Sequence, residues 1–333
     1  MLKTLILTDD EVKPLLSMGE VMDVVEEAFR EKGLGRVQMP PKPYLFFAKY
    51  DGDLRVMPSY LERMEIAAVK VVNSHPKNPS RYGLPTVMAT IVLVDPKSGA
   101  PKAVMGGTYI TAMRTGAAGG IAAKYLARKN SKVIGLIGAG TQARTQLMAL
   151  LTLYGSLEEV RVYDINQLAC ESYVSEMKDT YGDKIENIFQ VEDIKDAIKE
   201  ADIVVTATPS RKPLVMNEWV DEGVHFNCIG ADAPGKEELD PAILKRAKIV
   251  VDDWEQASHG GEINVPFSKG LLSKEDIWAT IGEVVAGLKE GRTSDEEITV
   301  FTSTGLAIQD AVTANLAYQK ALSKGAGRFV ELV

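Results

Sequence analysis

The hexapeptide Gly138-Ala139-Gly140-Thr141-Gln142-Ala143 follows directly on Lys132-Val133-Ile134-Gly135-Leu136-Ile137, an apolar run with the pattern of a buried strand. A glycine turn between a strand and a helix suits a phosphate. Gly138 permits a tight turn, Gly140 lets the backbone approach a pyrophosphate without a Cβ in the way, and Ala143 is small enough for helix and strand to pack closely. The helix that follows offers free N–H groups and the positive end of its dipole. A second strand-like run, Val160-Arg161-Val162-Tyr163, ends at Asp164, 21 positions after Ala143. That is close to the spacing of about 20 residues at which a ribose-binding carboxylate is expected. A carboxylate accepts from both ribose hydroxyls and repels a 2′-phosphate, and Ile165 and Asn166 follow rather than an arginine. The expected cofactor is therefore NAD rather than NADP.

Three basic residues interrupt apolar or small-residue surroundings: Lys70 in Ile66-Ala67-Ala68-Val69-Lys70-Val71-Val72, Arg114 in Tyr109-Ile110-Thr111-Ala112-Met113-Arg114-Thr115-Gly116, and Arg55 in Asp53-Leu54-Arg55-Val56-Met57-Pro58. Lysine can snorkel from such a run to the surface, and Arg55 reads equally as an ordinary exposed residue. Together the three would bind a carboxylate, arginine through a bidentate fork. Asp232 falls just beyond a strand expected over 224–229, at the edge of a doubly wound sheet where ligands bind. It either turns the loop before Pro234 or serves as a general acid and base.

The elements that must position these groups fall into two textures. Ser17-Met18-Gly19-Glu20 has capping-box spacing, and Val21, Val24, Val25, Ala28 and Phe29 follow at helical period until Gly33 and Gly35. Residues 43–105 are short runs rich in Val, Tyr, Phe and Ile punctuated by turns, which predicts an antiparallel sheet with a hairpin turn at Tyr50-Asp51-Gly52-Asp53. Residues 108–128 read as one helix dense in small residues (Gly116-Ala117-Ala118-Gly119-Gly120), suited to close packing against a sheet or across a subunit boundary. Strands are then expected near 133–137, 160–164, 186–190, 202–206, 224–229 and 248–252, alternating with helices, and a last helix over 306–322 returns to the first domain. The fold class is α/β: a Rossmann-type doubly wound sheet over 116–304, plus an α+β domain for substrate binding and dimerisation over 1–115 and 305–333.

Composition narrows the rest. The 333 residues are 45% hydrophobic and 25% charged, as in a folded globular protein, and the net charge of −8 disfavours a nucleic-acid partner. No apolar run approaches a membrane span, and the first residues lack the apolar region of a secretory signal. Cys170 and Cys228 read as reduced thiols, and His75, His225 and His259 are scattered, so no metal is assigned and a cytoplasmic location is expected.

The segments Asn73-Ser74-His75-Pro76, Gly83-Leu84-Pro85-Thr86, Met113-Arg114-Thr115-Gly116-Ala117-Ala118, Gly138-Ala139-Gly140-Thr141-Gln142-Ala143, Gly230-Ala231-Asp232-Ala233-Pro234-Gly235-Lys236 and Ser303-Thr304-Gly305 occur in order along nearly the whole chain. In these segments the chain resembles the ornithine cyclodeaminase/mu-crystallin family, and within it the archaeal alanine dehydrogenase branch. The resemblance implies a homodimer whose first domain pairs the subunits. It implies that Lys70, Arg114 and Lys42 bind the substrate carboxylate, that Thr86 lines the substrate pocket, and that Asp232 is the catalytic acid/base. Lys70 is expected to assist it, as a proton carrier or by polarising the forming carbonyl. The full set of expected dinucleotide contacts is Thr115, Gly138, Gly140, Thr141, Gln142, Asp164, Ile165, Thr208 and Ser303. Ornithine cyclodeaminases align a glutamate with Arg55, where it holds the distal amine of ornithine; a cation there would repel that amine. The resemblance thus implies reversible, NAD-dependent oxidative deamination of L-alanine to pyruvate and ammonia. Its alternatives are ornithine cyclodeamination, ketimine reduction, or a non-catalytic binding protein like mu-crystallin; that last branch lacks the aspartate of the 230–236 segment.

Overall fold

The structure is a computed structural model that describes residues 3–332. It divides into two compact units, Met1–Arg114 with Leu306–Val333, and Thr115–Gly305. The division falls within the helix Thr108–Leu126.

In the first unit an eight-stranded sheet runs in the order Arg328–Val330, Thr4–Leu7, Pro101–Gly106, Val87–Val94, Ile66–Ser74, Gly52–Leu61, Val37–Gln38, with Tyr44–Phe47 also paired to Gly52–Leu61. Every pair within 43–105 is antiparallel, as the sequence predicts. At the tip of the 44–61 hairpin, Asp51 takes the left-handed conformation (φ 53°) and Gly52 begins the next strand. Burial alternates along 54–61 and 66–73, the period of a sheet covered on one face. The helix Ala307–Lys324 packs on that face, against both strands, and also contacts the helix Met18–Gly33. The C-terminal helix therefore lies in the first unit. Ser17 is the N-cap of Met18–Gly33, but the full capping box expected there does not form: the Ser17 hydroxyl donates to the Glu20 carboxylate instead of accepting from the backbone.

The second unit holds an eight-stranded, all-parallel sheet in the order Ile185–Gln190, Leu157–Tyr163, Val133–Ile137, Ile203–Thr206, His225–Cys228, Thr299–Thr302, Lys248–Val251, Ile277–Thr280. Alternate residues of one strand enter opposite cores: Ile203 and Val205 join one hydrophobic cluster, Val204 the other. Both faces are covered, as a parallel sheet requires. Thr299–Thr302 inserts between His225–Cys228 and Lys248–Val251, and Ile277–Thr280 extends the edge. Neither strand is among those expected. The predicted helix over 108–128 ends at Leu126.

Two glycines of that helix, Gly116 and Gly119, have a definite partner. A Cβ on Gly116 would overlap the Thr145 carbonyl, and one on Gly119 would overlap the Gln146 side chain. Thr145 and Gln146 belong to the helix Thr141–Tyr154, so the glycines seat one helix directly against the other.

Gly135, in the central strand, faces the Ala197 carbonyl with no room for a methyl group. Gly135→Ala should lower stability by about 1–3 kcal/mol through overpacking. Thermal unfolding checks this, and an unchanged midpoint would show that the strand–helix contact is not tight.

Candidate active site

The first unit buries three charges together. Lys70 alternates into the covered face of its strand and is 1% exposed. Its Nζ lies 2.7 Å from Asp310 Oδ2, an ion pair outside hydrogen-bond angles, and donates to Thr111 Oγ1 at 3.3 Å. Arg114 Nε donates to the other oxygen, Asp310 Oδ1, at 2.9 Å, and Nη1 donates to Gln309 Oε1 at 3.1 Å. Gln309 Oε1 also accepts from the Leu306 N–H at 2.7 Å, fixing the amide against its own helix.

One carboxylate thus serves two buried cations, leaving a net positive charge that an anionic group would balance. Burial, with the Arg114 charge, brings the Lys70 ammonium down to about 7 against the opposing pull of Asp310; Lys42 adds to the downward field. Arg55 lies on the same face of the sheet, across from Val72, two pairs beyond the Met57–Lys70 pair. Thr86 immediately precedes the strand Val87–Val94, and its carbonyl accepts from the His75 N–H.

The expectation for Arg55 as a lone repelling cation needs correction. Its Nε and Nη2 bind Asp53 Oδ1 and Oδ2 at 2.9 and 3.1 Å, and its guanidinium lies over the Tyr44 ring. The Asp53 charge cancels much of the field assumed for the argument against a second amine.

In the second unit the expected groups line the carboxyl edge of adjacent parallel strands. Gly138 follows Val133–Ile137, Thr208 follows Ile203–Thr206, Asp232 follows His225–Cys228, and Ser303 follows Thr299–Thr302. Gly138 has φ +105°, and a Cβ there would sit 2.7 Å from the Ala207 carbonyl, so two independent constraints demand glycine. Gly140 is the N-cap of Thr141–Tyr154, has no side-chain cap, and nothing lies within 4 Å of where its Cβ would be. Asp164 Oδ2 accepts from the Ala139 N–H and Oδ1 from the Asn166 N–H, both at 2.8 Å, which ties the carboxylate to the glycine turn. Thr141 and Ile165 are exposed beside it, and Gln142 is half-buried. An open, uncapped helix N-terminus with a fixed carboxylate next to it fits a dinucleotide.

Two buried carboxylates not anticipated from sequence hold this edge. Glu238 accepts from Thr206 Oγ1, Thr208 N, Thr208 Oγ1 and Gly230 N at 2.7–3.0 Å, tying the Thr208 loop to the start of the Asp232 loop. Asp252 accepts from Thr304 N, Thr304 Oγ1 and Gly305 N, fixing the segment after Ser303. The Ser303 N–H itself donates to the Cys228 carbonyl. Asp232 is half-buried, and its Oδ1 pairs with Lys236 Nζ, which also donates to the Gly230 carbonyl. Asn264 clamps the same loop, accepting from Gly235 N–H and donating to the Lys236 carbonyl.

Asp310 is the most consequential residue that sequence reasoning missed. The signal was present: Gln309-Asp310 interrupts Leu306-Ala307-Ile308 and Ala311-Val312, and a carboxylate on a buried helix face requires a cationic partner.

The model of the ornithine cyclodeaminase/mu-crystallin family matches residues 2–325. Alanine dehydrogenase of Archaeoglobus fulgidus is 58% identical over 326 residues, covering 98% of each chain. A solved archaeal alanine dehydrogenase, a dimer with bound NAD, superposes with a TM-score of 0.94 at 57% identity and full coverage of both chains. Delta(1)-pyrroline-2-carboxylate reductase of Thermococcus litoralis, solved with NADH and L-proline, gives the same TM-score at 45% identity, covering 98% of this chain and 100% of its own. With the matched residues spanning both units and reaching from the Lys70–Arg114 cluster to the dinucleotide turn, the chain belongs to the ornithine cyclodeaminase/mu-crystallin family.

Proposed function

We propose that this protein is an NAD-dependent L-alanine dehydrogenase, interconverting L-alanine with pyruvate and ammonia. The observation that carries the reading is the buried, net-positive cluster of Lys70, Arg114 and Asp310, which a substrate carboxylate would neutralise, in a chain 58% identical to an alanine dehydrogenase. Lys70 and Arg114 hold that carboxylate, with Lys42 adding positive charge, and so orient Cα for reaction. Arg55 and Thr86 line the remainder of the substrate's surroundings. Gly138, Gly140, Thr141, Gln142, Asp164, Ile165, Thr208, Ser303 and Thr115 hold the dinucleotide. Bound NAD supplies the hydride acceptor. Asp232 takes the proton that the substrate ammonium must lose, and returns a proton to the departing amine once water has added to the imine carbon. Lys70, poised near neutrality, polarises the forming carbonyl while charged and accepts a proton from water while neutral.

The second reading with specific support is reduction of cyclic ketimines such as pyrroline-2-carboxylate, given the resemblance to the Thermococcus litoralis reductase. It uses the same carboxylate clamp. Ornithine cyclodeamination has less support, although the Arg55–Asp53 pair weakens the electrostatic objection to it. Like the solved archaeal relative, the protein is read as a homodimer; Leu45 and Phe46 on the outlying strand Tyr44–Phe47 are 61% and 71% exposed, apolar surface of the kind that pairs subunits. No helix among the described residues is long and apolar enough to cross a membrane. A cytoplasmic location suits an enzyme that draws on NAD.

Purified protein given NAD and L-alanine should produce NADH, with pyruvate and NH3 consuming NADH in reverse. Proline formation from L-ornithine without net NADH, or turnover confined to pyrroline-2-carboxylate, would replace this reading with the corresponding alternative. Asp232→Asn should reduce kcat by about 10²–10⁴-fold while leaving NADH affinity within a few-fold, because it removes a proton carrier and not a dinucleotide contact; full turnover would take Asp232 out of the mechanism.

Asp310→Asn should cost about 3–5 kcal/mol by leaving two cations buried without their anion. It should also alter the pH profile. A lysine held near 7 is charged below that pH and loses its charge above it, so KM for pyruvate rises as pH increases through the neutral range. Asp310 opposes the loss of charge, so its removal shifts this rise to lower pH. Steady-state KM measured from pH 5.5 to 9 checks the direction; an unshifted profile separates Asp310 from Lys70.

A further inference from the structure

A second polar assembly in the core of the Thr115–Gly305 unit involves none of the residues given catalytic roles. His225, Asn227, Thr299 and Gln146 are all fully buried. Arg292 Nη2 donates to Thr299 Oγ1 at 3.1 Å; Thr299 Oγ1 lies 2.9 Å from His225 Nδ1; His225 Nε2 lies 3.0 Å from Asn227 Oδ1. Asn227 Nδ2 donates to the Gly119 carbonyl at 3.1 Å and to Gln146 Oε1 at 3.3 Å, and Gln146 Nε2 donates to the Thr115 carbonyl at 2.9 Å.

The proton positions along this path follow from its ends. Gln146 must present its NH2 to the Thr115 carbonyl, so its oxygen faces Asn227, whose NH2 must then point toward it. Asn227 Oδ1 is left facing His225, which requires a proton on Nε2. Burial, reinforced by the Arg292 charge, brings the imidazolium down to about 3, so His225 is neutral and Nδ1 is an acceptor. The Thr299 hydroxyl, with its one proton, has both the Leu126 carbonyl at 2.8 Å and His225 Nδ1 at 2.9 Å as acceptors. From His225 to Thr115 every link therefore donates in one direction. The route exists because position 119 is glycine: a Cβ there would occupy the space of the Gln146 amide.

We propose that His225, Asn227 and Gln146 are positioning residues: their one-way hydrogen-bonded chain fixes the Thr115 carbonyl, and with it the helix segment that presents Thr115 to the dinucleotide. The inference rests on the reading of Thr115 as a dinucleotide contact. Gln146 sits one turn beyond Gln142 on the helix whose N-terminus faces the phosphates, so the chain locks the Thr115 segment to the phosphate-binding helix itself. The only titratable side chains on the path are His225 and Arg292. With His225 neutral and Arg292 charged, the lock does not change across the physiological pH range.

The test is NADH affinity of the full-length protein, read by fluorescence titration at pH 5.5 and 8.5 alongside thermal unfolding. Gln146→Leu keeps the volume and removes both links, and should weaken NADH binding about ten-fold, the effect of one buried hydrogen bond. Gln146→Glu retains a donor to Thr115 only as the protonated acid, so its NADH affinity should fall from pH 5.5 to 8.5 while the wild type stays flat. A purely structural role would lower the unfolding midpoint in both variants without making NADH affinity depend on pH. Wild-type affinity in the leucine variant, or equal affinity at the two pH values in the glutamate variant, overturns the proposal. Should the leucine variant not fold, the glutamate variant alone decides. Failure of the wild type to bind NADH would instead overturn the dinucleotide reading, and this inference with it.

Discussion

A carboxylate removed from water must be met by charge or by hydrogen-bond donors, and that requirement fixes the loops on which this protein's chemistry depends. Asp310 is answered by Lys70 and Arg114, Glu238 by donors from Thr206, Thr208 and Gly230, and Asp252 by the backbone of Thr304 and Gly305. Each ties together segments far apart in sequence, and each such segment carries or adjoins a residue assigned to substrate or dinucleotide. Removing any one partner would strand a charge in the core, so these loops have little freedom to drift. Glu262 shows the opposite solution. Its Oε1 accepts from the Glu238 and Leu239 N–H groups, its Oε2 meets no donor, and burial beside Glu238 pushes its carboxyl well above the usual range. Of the two neighbours the proton belongs on Glu262, because Glu238 already has a donor for every lone pair that matters.

The architecture was largely legible in the sequence because its signals are local. Gly138 and Gly140 between an apolar run and a helix announce a dinucleotide turn, and the alternation of runs after Asn130 announces a parallel sheet. What escaped was non-local. Thr299–Thr302 becomes a strand through its neighbours on both sides, not through a periodic pattern of its own. The partner of the small residues at 116–120 could have been a sheet or another subunit; only the fold shows that Gly116 and Gly119 meet the helix Thr141–Tyr154. Lys70 and Arg114 stand out in sequence as cations in apolar runs, but the anion that joins them lies 196 positions beyond Arg114, at Asp310.

The same distinction governs Arg55. Its type suggested a bare positive charge, and a field argument about substrate was built on that charge. In the fold, Asp53 chelates it two residues away on the same strand face, and the Tyr44 ring covers it. An ion pair presents a short-ranged, directional field, so under the proposed function the Arg55 charge alone would not separate alanine from longer amino acids.

The two halves of the chemistry are therefore wired differently, and the difference suits their tasks. A carboxylate that arrives and leaves is best met by charges whose balance is incomplete without it; Lys70, held near 7 by burial against the pull of Asp310, is responsive for that reason. A dinucleotide contact needs a backbone that stays in place whether or not substrate is bound. Amides and a neutral imidazole provide this, because each link from His225 to Thr115 is direction-specific and none changes charge near neutral pH. An apolar core in the same space would pack as well or better, but it would remove the Gln146 amide from the Thr115 carbonyl, the direct polar link between the two helices at that point.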